Sequence, residues 1–487
     1  MTGMFPAVPP PLLAELERSD QTHVLRFWSD LDTAGRSRLL GQLAVIDWKA
    51  FADMRRLVLA QRAAPAPAVT DLEASTTPPC LRLGDAANPI QPAAAVAAGE
   101  RVLAEGLIGA ILVAGGQGTR LGCDGPKGLV GVGPVSHASL FEQLFGTVRA
   151  AQRRFGHRVP LAIMTSSGTD AETRQFLRDK HYCGLDPDFV HVFRQHDLPA
   201  VDDTTARILL QAPDRLATAP DGHGGMLTAL AESGGLEWFG RHAVEHVVSF
   251  QVDNPLAMPL DREFLGYHLL SRADVSTQVV PKREPGERVG VVVERGGRHH
   301  VVEYSDLPPE FASARRPDGC LRFHAGSIAI HCFTRAFLER AAARDDALPL
   351  HLAHKVVPFL DESGRLVQPD APNAIKFERF IFDLMPLAER VTVVEIDARD
   401  GFAPLKNPPG SERDAPEHVH AALVDRARRL LARAGVTVAA GIDVEIDTAT
   451  VFDETDVAAV LPRGSHIDTP RVVRGPTDHA QRPRSLH

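Results

Sequence analysis

The stretch from Ile108 to Gly133, IGAILVAGGQGTRLGCDGPKGLVGVG, constrains the fold of this chain more than any other part of its sequence. It begins with an uninterrupted apolar run, Ile108 to Ala114, which is typical of a strand buried on both faces. The glycines that follow directly are Gly115, Gly116 and Gly118. Because glycine has no Cβ atom, backbone N–H groups in such a loop can turn toward an anion. The stretch therefore predicts a strand followed by an anion-binding loop.

Two cations and a helical pattern follow the glycine loop. Arg120 and Lys127 are spaced to reach oxyanions held by the loop. Beyond them, Leu140, Leu144 and Val148 recur every four residues, which predicts an amphipathic helix. Strand, glycine loop, basic pair and helix together predict a polyphosphate-binding site on an α/β sheet. A tight connection between strand and helix, without any ligand, is the alternative if the glycines are considered alone.

Two common phosphate-binding motifs do not fit this loop. A P-loop requires Gly-Lys-Ser/Thr at its end, whereas Lys127 follows Pro126 and precedes Gly128. A dinucleotide-binding fingerprint requires G-x-G-x-x-G, whereas the glycines here follow the pattern G-x-G-x-x-x-G. The loop therefore matches neither motif, and its ligand has to be inferred from other residues.

Length and composition bound the class of protein. With 487 residues, the chain is too long for one ordinary core, so two or three domains are expected. A net charge of −9 argues against a nucleic-acid-binding scaffold. The five cysteines are an odd number without paired spacing, which favours a reducing compartment without structural disulfides or a zinc site. Neither a signal sequence nor a long apolar run is visible, so we expect a cytoplasmic protein that does not bind membranes.

The sequence suggests four consecutive segments. Residues 1–98 are predicted to form an N-terminal helical segment and an Ala- and Pro-rich connector, Ala63 to Ala98. Residues 99–395 alternate between strand and helix patterns, which predicts a mainly parallel sheet. Residues 396–462 are expected to form a small C-terminal domain rich in β-strands. Residues 463–487 are polar and contain several Pro and Arg residues, so we expect them to be disordered.

Individual elements can be predicted within these segments. Apolar stripes predict helices between Leu12 and Arg62, and another near Pro416–Ala434. The turn Arg295-Gly296-Gly297 predicts a hairpin between its flanking apolar runs. The candidate strands of the main sheet are Val159–Thr165, Phe189–Arg194, Val247–Val252 and Val275–Val280.

A second candidate site lies at the end of the apolar run VVSFQVDN, where Asp253 follows a predicted strand. The carboxyl ends of parallel strands face the crevice in which α/β sheets bind ligands. Mg²⁺ is commonly held by one or two carboxylates plus substrate phosphates, so a single well-placed Asp suffices. We therefore assign Asp253 to metal and nucleotide binding, with an Asp that caps a turn as the alternative.

Histidine pairs give no comparable signal. His351 and His354 lie three positions apart, and His299 and His300 are adjacent. Neither pair has a third ligand at metal-binding spacing, so we expect surface or core histidines and no zinc site.

The string Gly-Thr-Arg-Leu-Gly…Pro-Lys is far more specific than the glycines alone, and it resembles the signature of nucleotide-diphosphosugar pyrophosphorylases. Its form is similar to that of the eukaryotic-type UDP-N-acetylhexosamine pyrophosphorylases of the UDPGP family, and Val-Asp-Asn at Asp253 matches a second family motif. The resemblance runs from about Gln21 to Leu423 through six motifs in family order. It implies an α/β fold with a Rossmann-like nucleotidyltransferase catalytic domain in residues 99–395.

The resemblance also implies a set of nucleotide-binding residues. Gly222, in the loop Pro-Asp-Gly-His-Gly-Gly, corresponds to the glycine that contacts uracil, and Gln195 to the glutamine that recognises the uracil edge. An amide carries both a donor and an acceptor, which suits the imide of uracil. Lys376 and Lys406 match lysines that reach the phosphates. From the residues alone, Gln195 and Lys406 would fit ordinary surface positions.

For the sugar, the resemblance implies contacts from residues spread over four motifs, namely His223, Gly290, Glu303, Ser327, Phe380 and Phe382. From the residues alone, Glu303 fits a solvent-facing hairpin and the phenylalanines fit a core. This chain departs from the family at three asparagines of one motif, where it has His324, Ser327 and Ile330, and at His223, where the family has Asn. These departures concern the identity of the sugar more than the type of reaction.

The implied activity is a uridylyl transfer from UTP to a sugar 1-phosphate, most simply N-acetylglucosamine 1-phosphate, which yields a UDP-sugar and pyrophosphate. Arg120, Lys127 and Lys406 are the candidate catalytic cations, and Mg²⁺ is the expected cofactor. Two alternatives stay open: the same reaction with glucose, galactose or N-acetylgalactosamine 1-phosphate, and a catalytically silent protein that binds UDP-sugars. We expect a monomer or weak homodimer without nucleic-acid or membrane partners.

Overall fold

The computed structural model describes residues 8–63, 70–344 and 346–476. The chain forms two compact units, and both are discontinuous in sequence. Unit 1 consists of Met1–Asp71, Gln195–Met226 and Leu348–Asp383, and unit 2 of Leu72–Arg194, Leu227–Ala347 and Leu384–His487. This division differs from the consecutive segments expected from the sequence, because two excursions from the main α/β segment pack onto the N-terminal helices.

Unit 2 is built on a mixed, mainly parallel sheet, as the sequence predicted. From one edge to the other, its strands are Cys80–Arg82, Val391–Glu395, Val275–Pro281, Ala325–Thr334, His246–Gln251, Ile108–Val113, Leu161–Thr165 and Val190–Arg194. Ala325–Thr334 runs antiparallel to both of its neighbours, and the other neighbouring pairs are parallel. The predicted hairpin is confirmed as Val291–Arg295 and Arg298–Val302, and it continues the sheet beside Ala325–Thr334.

Helices cover this sheet and supply most of its core. The helix Leu140–Phe155 begins with a capping box formed by Ser139 and Glu142 and ends at Gly156 in the left-handed conformation. Leu140, Leu144 and Val148 are buried, so its predicted apolar stripe is confirmed. The other helices of unit 2 are Pro92–Ala104, Asp170–Asp179, Gly235–Arg241, Arg262–Leu270, Pro309–Ala312, Arg335–Ala342, Ala398–Gly401, Pro416–Arg433 and Glu454–Ala458. The helix Gly225–Glu232 has its first two residues in unit 1 and the rest in unit 2.

Two regions expected to lack regular structure contain ordered elements of unit 2, although residues 64–69 of the connector lie outside the described residues. The Ala- and Pro-rich connector contributes the edge strand Cys80–Arg82 and the start of the helix Pro92–Ala104, because alanine is the best helix former and Pro92 occupies the first helical turn. The tail expected from Arg463 onward contains strands His466–Ile467 and Arg471–Val473, which pair in parallel with Thr437–Val438 and Val444–Ile446. Residues 477–487 lie outside the described residues.

Unit 1 combines helices with short strands. The predicted helical segment is confirmed as three helices, Pro10–Arg18, Thr33–Ala44 and Trp48–Ala63, and a short helix, Thr70–Glu73, follows. A three-stranded sheet has the order His351–Lys355, Ala374–Glu378 and Val201–Asp202. Paired short strands complete the unit: Asp197–Pro199 with Thr218–Pro220, Leu210–Ala212 with Arg215–Leu216, and Phe359–Leu360 with Leu366–Val367. Trp28, Phe51 and Phe377 lie in its core.

Short 3₁₀ turns connect many of these elements. They are Thr22–Leu25, Trp28–Asp30, Thr119–Leu121, Lys127–Leu129, His181–Gly184, Pro187–Phe189 and Ile381–Leu387. Over the described ranges, the helices are too short or too polar for any of them to span a bilayer.

Candidate functional site

The glycine loop of unit 2 follows the buried strand Ile108–Val113 and is held by backbone hydrogen bonds. The N–H of Lys127 donates to Gly116 O at 3.0 Å, and the N–H of Gly118 donates to Gly125 O at 2.8 Å. A Cβ atom on Gly118 would lie 3.0 Å from the Cβ of Cys123, so a side chain there would crowd the turn. Gly116 is exposed, with open space where its side chain would be. The loop therefore has a fixed shape and an accessible outer backbone.

The two cations of the loop lie in different environments. Arg120 is exposed in the turn Thr119–Leu121, whereas Lys127 is mostly buried. The Nζ of Lys127 lies 3.8 Å from Oδ2 of Asp253, and the two side chains are only 17% and 15% exposed. They meet because the strands Ile108–Val113 and His246–Gln251 are parallel neighbours whose carboxyl ends lie at one edge of the sheet. The arrangement brings together the loop cation and the carboxylate identified from the sequence.

Lys406 belongs to the same end of unit 2 through its backbone. The N–H of Leu405 donates to Asp253 O at 2.8 Å, and the side-chain amide of Asn254 donates to Gly401 O at 2.8 Å and accepts from the N–H of Ala403 at 3.1 Å. Asn254 is buried, and its hydrogen bonds hold the segment before Lys406 against the end of the strand that precedes Asp253. Sequence reasoning missed this role of Asn254, although the Asp-Asn pair was the available signal.

Asp414 is a further residue that the sequence did not single out. Its carbonyl accepts the N–H of Lys406 at 2.8 Å, and its φ of 55° is unusual for a residue other than glycine. Burial raises the pKa of its carboxyl group, Lys406 opposes that rise, and Asp253 adds to it. Asp414 therefore shares the electrostatic environment of Lys406 and Asp253.

The predicted sugar-facing residues of unit 2 also meet. The N–H of Ser327 donates to Gly290 O at 2.8 Å, and a Cβ atom on Gly290 would lie 3.0 Å from Oε1 of Glu303. The hairpin register that pairs Val291 with Gly326 produces this proximity. Gly290, Glu303 and Ser327 therefore form one cluster beside the hairpin.

Lys282, a buried lysine that the sequence analysis did not single out, lies near this cluster. Lys282 directly follows the strand Val275–Pro281 and is only 3% exposed, and its N–H donates to His324 O at 2.7 Å. Burial lowers the pKa of its ammonium group, and Glu287 opposes that shift. A lysine after a buried strand gives no local signal of burial, which is why the sequence did not identify it.

In unit 1, Gln195 and the loop with Gly222 lie next to one another. Gln195 is 5% exposed, which excludes the surface position that its residue type alone would suggest. Its side-chain oxygen has no hydrogen-bond partner among the residues that the structure describes. The N–H of Asp221 donates to His196 O at 3.1 Å, which links the two segments, and Gly222 adopts a left-handed φ of 68°. A buried acceptor without a partner is suited to a donor from a ligand.

His223 and the phenylalanine pair of unit 1 form an aromatic cluster. The ring of His223 lies 5.2 Å from that of Phe380 and 5.4 Å from that of Phe382. The N–H of Ile381 donates to Nδ1 of His223 at 3.2 Å, which leaves the proton of a neutral ring on Nε2. Burial, with His351 nearby, lowers the pKa of His223 to about 4, so the ring is neutral at pH 7.

Lys376 lies on the face of the three-stranded sheet that is opposite to the core cluster of Trp28 and Phe51 in unit 1. Its strand neighbours Ile375 and Phe377 are buried in that core, and Lys376 pairs in register with Ala353. His351, two residues before Ala353, shares this face, and its Nε2 lies 2.7 Å from Oδ2 of Asp383. The ring of His351 is 4.6 Å from that of Phe380. His351 is therefore a neighbour of the aromatic cluster, whereas the sequence predicted only that it is a surface or core histidine.

The predicted site residues thus fall into two sets, one in each unit. Unit 2 contains Gly115, Gly116, Gly118, Arg120, Lys127, Asp253, Gly290, Glu303, Ser327 and Lys406. Unit 1 contains Gln195, Gly222, His223, Lys376, Phe380 and Phe382. The set in unit 2 contains arginine and lysine side chains that suit phosphate groups, together with the carboxylate of Asp253. The set in unit 1 contains an amide, a glycine loop and aromatic rings.

The carboxylates of unit 2 determine which metal this site suits. Within residues 8–63, 70–344 and 346–476, no group of at least three His, Cys, Asp or Glu side chains is arranged to hold a metal ion. Asp253 is a mostly buried carboxylate beside the glycine loop. A hard cation that takes most of its ligands from phosphates and water, as Mg²⁺ does, fits such a donor set better than zinc.

Comparison with known proteins agrees with this chemistry. Residues 98–410 match the UDPGP family, described as UTP–glucose-1-phosphate uridylyltransferase. A human protein named UDP-N-acetylhexosamine pyrophosphorylase-like protein 1 is 38% identical over 432 residues, which cover 87% of this chain and 85% of that protein. The UDP-N-acetylglucosamine pyrophosphorylase of Saccharomyces cerevisiae is 36% identical over 358 residues, 72% of this chain and 75% of that protein.

A solved structure is similar over nearly the whole chain. The uridine diphosphate N-acetylglucosamine pyrophosphorylase of Trypanosoma brucei, crystallised with an inhibitor, has a TM-score of 0.79 at 25% identity. The similarity covers 96% of this chain and 99% of that chain.

Proposed function

The chain belongs to the UDPGP family of uridylyltransferases, and from this premise we propose that it converts UTP and N-acetylglucosamine 1-phosphate into UDP-N-acetylglucosamine and pyrophosphate. The observation that carries the site assignment is the 3.8 Å approach of Lys127 to Asp253 beside a loop in which Gly116 and Gln117 are exposed. A cation and a metal-binding carboxylate at one strand edge are what a nucleoside triphosphate with its metal requires.

The reaction needs positioning and charge stabilisation more than covalent help from the protein. A sugar phosphate oxygen attacks the α-phosphorus of UTP in line, the bond to the β-phosphate bridging oxygen breaks, and pyrophosphate leaves. We assign the backbone of Gly115, Gly116 and Gly118 to the triphosphate. Arg120, Lys127 and Lys406 then neutralise charge that develops on the phosphates. Lys376 supplies a further cation from unit 1.

We propose Asp253 as the protein ligand of Mg²⁺. The metal would supply charge neutralisation on the triphosphate and help to orient it. Asp253 would hold the cation, and Lys127 would neutralise the remaining charge of the phosphates. Asn254 keeps the strand end in place through its bonds to Gly401 and Ala403.

Recognition of uracil is assigned to Gln195 and Gly222. The imide of uracil presents one N–H between two carbonyl groups, and an amide side chain can pair with one carbonyl and the N–H. The buried side-chain oxygen of Gln195, which lacks a partner among the described residues, supports this role. Cytosine has no N–H at that ring position, so the same pocket favours UTP over CTP.

The sugar is assigned to the cluster of Gly290, Glu303 and Ser327 and to the aromatic cluster of His223, Phe380 and Phe382. Glu303 can accept hydrogen bonds from hydroxyl groups, and aromatic rings suit the methyl group of an N-acetyl substituent. The names of the human and yeast relatives support an N-acetylhexosamine. A plain hexose 1-phosphate is the second candidate, because Ser327 has a shorter side chain than the asparagine of the resembling family.

Substrate preference is tested by pyrophosphate release with UTP and Mg²⁺. The 1-phosphates of N-acetylglucosamine, N-acetylgalactosamine, glucose and galactose are compared by their kcat/KM. We expect the highest value with N-acetylglucosamine 1-phosphate, and replacement of UTP by CTP provides the base control. A higher kcat/KM with glucose 1-phosphate than with both N-acetylated substrates would move the protein to the second candidate.

The cellular setting is part of the proposal. We propose a cytoplasmic enzyme that acts on small molecules as a monomer or weak homodimer, without nucleic-acid or membrane partners. The net charge of −9 and the unpaired cysteine spacing support this setting.

A further inference from the structure

Asp221 and Arg379 form a buried ion pair that joins two segments of unit 1. Asp221 is 1% exposed, and Nη1 of Arg379 lies 2.5 Å from its Oδ2. Asp221 immediately precedes Gly222, and Arg379 immediately precedes Phe380 and follows the strand Ala374–Glu378. The pair therefore connects the loop assigned to uracil with the strand end assigned to phosphate and sugar.

Backbone hydrogen bonds reinforce this connection from both sides of the ion pair. The N–H of Arg379 donates to Asp221 O at 3.0 Å, and the N–H of Gly224 donates to Arg379 O at 2.8 Å. The N–H of Ile381 donates to the ring of His223 at 3.2 Å. The two segments thus run against one another over several residues, and the ion pair lies at the beginning of the contact.

The glycines of the loop are required by this approach. A Cβ atom on Gly222 would lie 2.5 Å from Arg379 O, and one on Gly224 would lie 2.5 Å from the carbonyl carbon of Arg379. Backbone atoms cannot move aside as the end of a side chain can, so any larger residue at these two positions would clash with Arg379. Only glycine allows the loop to pack this closely on the backbone of Arg379. The glycine-rich loop, which the family resemblance links to uracil, therefore also makes contacts within the protein.

We propose that Asp221 and Arg379 are positioning residues for the nucleotide: their ion pair fixes the uracil-binding loop relative to Lys376 and Phe380. This inference rests on the proposed function, because it takes UTP as the ligand of these segments. Neither side chain is assigned to contact substrate. Their role is to hold Gly222 and Lys376 at the spacing that one nucleotide requires.

The physical cost of breaking the pair is high because it is buried. Burial raises the pKa of Asp221 to about 6, and the charge of Arg379, with a smaller contribution from His196, opposes that rise. The second carboxylate oxygen of Asp221 has no hydrogen-bond partner in the described part of the chain. The guanidinium of Arg379 is therefore the main group that offsets the buried negative charge of Asp221. Removal of the guanidinium leaves an uncompensated buried charge, which drives the loop away from its position.

The strand itself does not depend on this ion pair. Ala374–Glu378 is hydrogen-bonded to His351–Lys355, and Ile375 and Phe377 lie in the core of unit 1. Loss of the pair is therefore expected to displace the loop while the strand stays folded, which makes nucleotide affinity the sensitive readout.

The test combines single and double variants with direct binding. For Arg379→Met and for Asp221→Asn we expect the Kd for UTP to rise by about ten-fold or more, because a displaced loop loses hydrogen bonds to the base. The Kd is measured by calorimetry and the KM for UTP by pyrophosphate release.

Arg379→Lys is expected to recover part of the affinity, since an ammonium restores charge but not the planar geometry. Arg365→Met, which removes an 80% exposed arginine of unit 1 from its pair with Asp361, is the matched control.

The double variant Asp221→Asn/Arg379→Met separates positioning from stability. It leaves no uncompensated charge, so its melting temperature should return toward that of the wild type while the Kd for UTP stays high. If affinity recovers together with stability, or if the single variants bind UTP as the wild type does, the positioning role is wrong. Wild-type protein that binds UTP but releases no pyrophosphate with any sugar 1-phosphate would contradict the proposed function alone. Failure of the wild type to bind UTP would contradict both.

Discussion

Lys127 and Asp253 approach to 3.8 Å between Nζ and Oδ2, although they follow different strands of the central sheet of unit 2. The approach is a consequence of topology, since the strands Ile108–Val113 and His246–Gln251 are parallel neighbours. Each side chain is assigned to a nucleoside triphosphate, Lys127 directly and Asp253 through a cation.

Replacement of Lys127 by alanine is expected to lower kcat by about 100-fold or more, as loss of one preorganised charge-stabilising donor does. The KM for the sugar phosphate should change much less, because the sugar is held elsewhere. Pyrophosphate release under saturating substrates measures the effect. Lys180→Ala, which removes an exposed lysine of unit 2 that pairs with Glu142, is the control. Near-normal turnover of Lys127→Ala would remove Lys127 from the mechanism.

Replacement of Asp253 by asparagine is expected to raise the Mg²⁺ concentration that gives half-maximal activity, because one of the few protein carboxylates available to the cation is lost. Binding of UTP without metal should be unchanged or tighter, since a negative charge beside the phosphates is removed. Magnesium titrations and calorimetry with UTP in EDTA measure the two effects. Equal magnesium dependence in the wild type and the variant would show that Asp253 does not hold the metal.

Replacement of Ser327 by asparagine is expected to lower the KM for N-acetylglucosamine 1-phosphate by about five-fold, because one added hydrogen bond contributes about 1 kcal/mol. The backbone N–H of residue 327 still donates to Gly290, so the hairpin should keep its geometry. Ser305→Asn, at an exposed position, serves as the control. An unchanged or higher KM in Ser327→Asn would place the sugar away from this residue.

Buried His268 is expected to make stability depend on pH. Burial, with His246 beside it, lowers the pKa of His268 to about 3, and the ring bonds to His246 and Ser276 at 3.1 and 2.8 Å. Because this folded-state pKa lies below the unfolded value of about 6.5, the contribution is present above pH 6.5 and is lost as pH falls toward 3. Between pH 7 and pH 5, we expect a loss of about 2 kcal/mol in the free energy of unfolding.

The measurement is urea unfolding of the wild type and of His268→Gln at both pH values. The glutamine variant should lose less stability on acidification, because it has no group that must gain a proton on unfolding. An identical loss in the two proteins would assign the pH dependence to other groups.

Replacement of Gly266 by alanine is expected to destabilise unit 2 by about 3 kcal/mol, because overpacking forces backbone shifts. The new Cβ would meet the carbonyl of Ala95 on the helix Pro92–Ala104, a contact that no side-chain rotation relieves. Gly41→Ala is the matched control, since nothing lies within 4 Å of its Cβ and alanine favours the helix Thr33–Ala44. Equal melting temperatures of Gly266→Ala and the wild type would contradict this helix packing.

Local patterns in the sequence predicted the parts of the site that depend on short-range order. The apolar run before Gly115 and the run before Asp253 each specify a strand that is followed by a candidate site residue, and the parallel fold then brings the strand ends together. The hairpin with Gly290 and the helix Leu140–Phe155 followed from turn and periodicity signals in the same way.

Residues whose roles depend on distant partners could not be predicted in this way. Arg379 is an ordinary charged residue in sequence, and only the fold shows that it meets Asp221, 158 positions away. Lys282 and Asn254 are likewise defined by burial that no local pattern carries. The strands after Arg463 were missed because they are only two and three residues long and pair across long connections.

Uridylyl transfer to N-acetylglucosamine 1-phosphate is tested most directly by the stoichiometry of the products. The protein is incubated with UTP, N-acetylglucosamine 1-phosphate and Mg²⁺, and UDP-N-acetylglucosamine and pyrophosphate are quantified together over time. We predict that both products accumulate in equal amounts and that neither forms when the sugar phosphate is omitted. Absence of both products, or pyrophosphate without the nucleotide sugar, would contradict it.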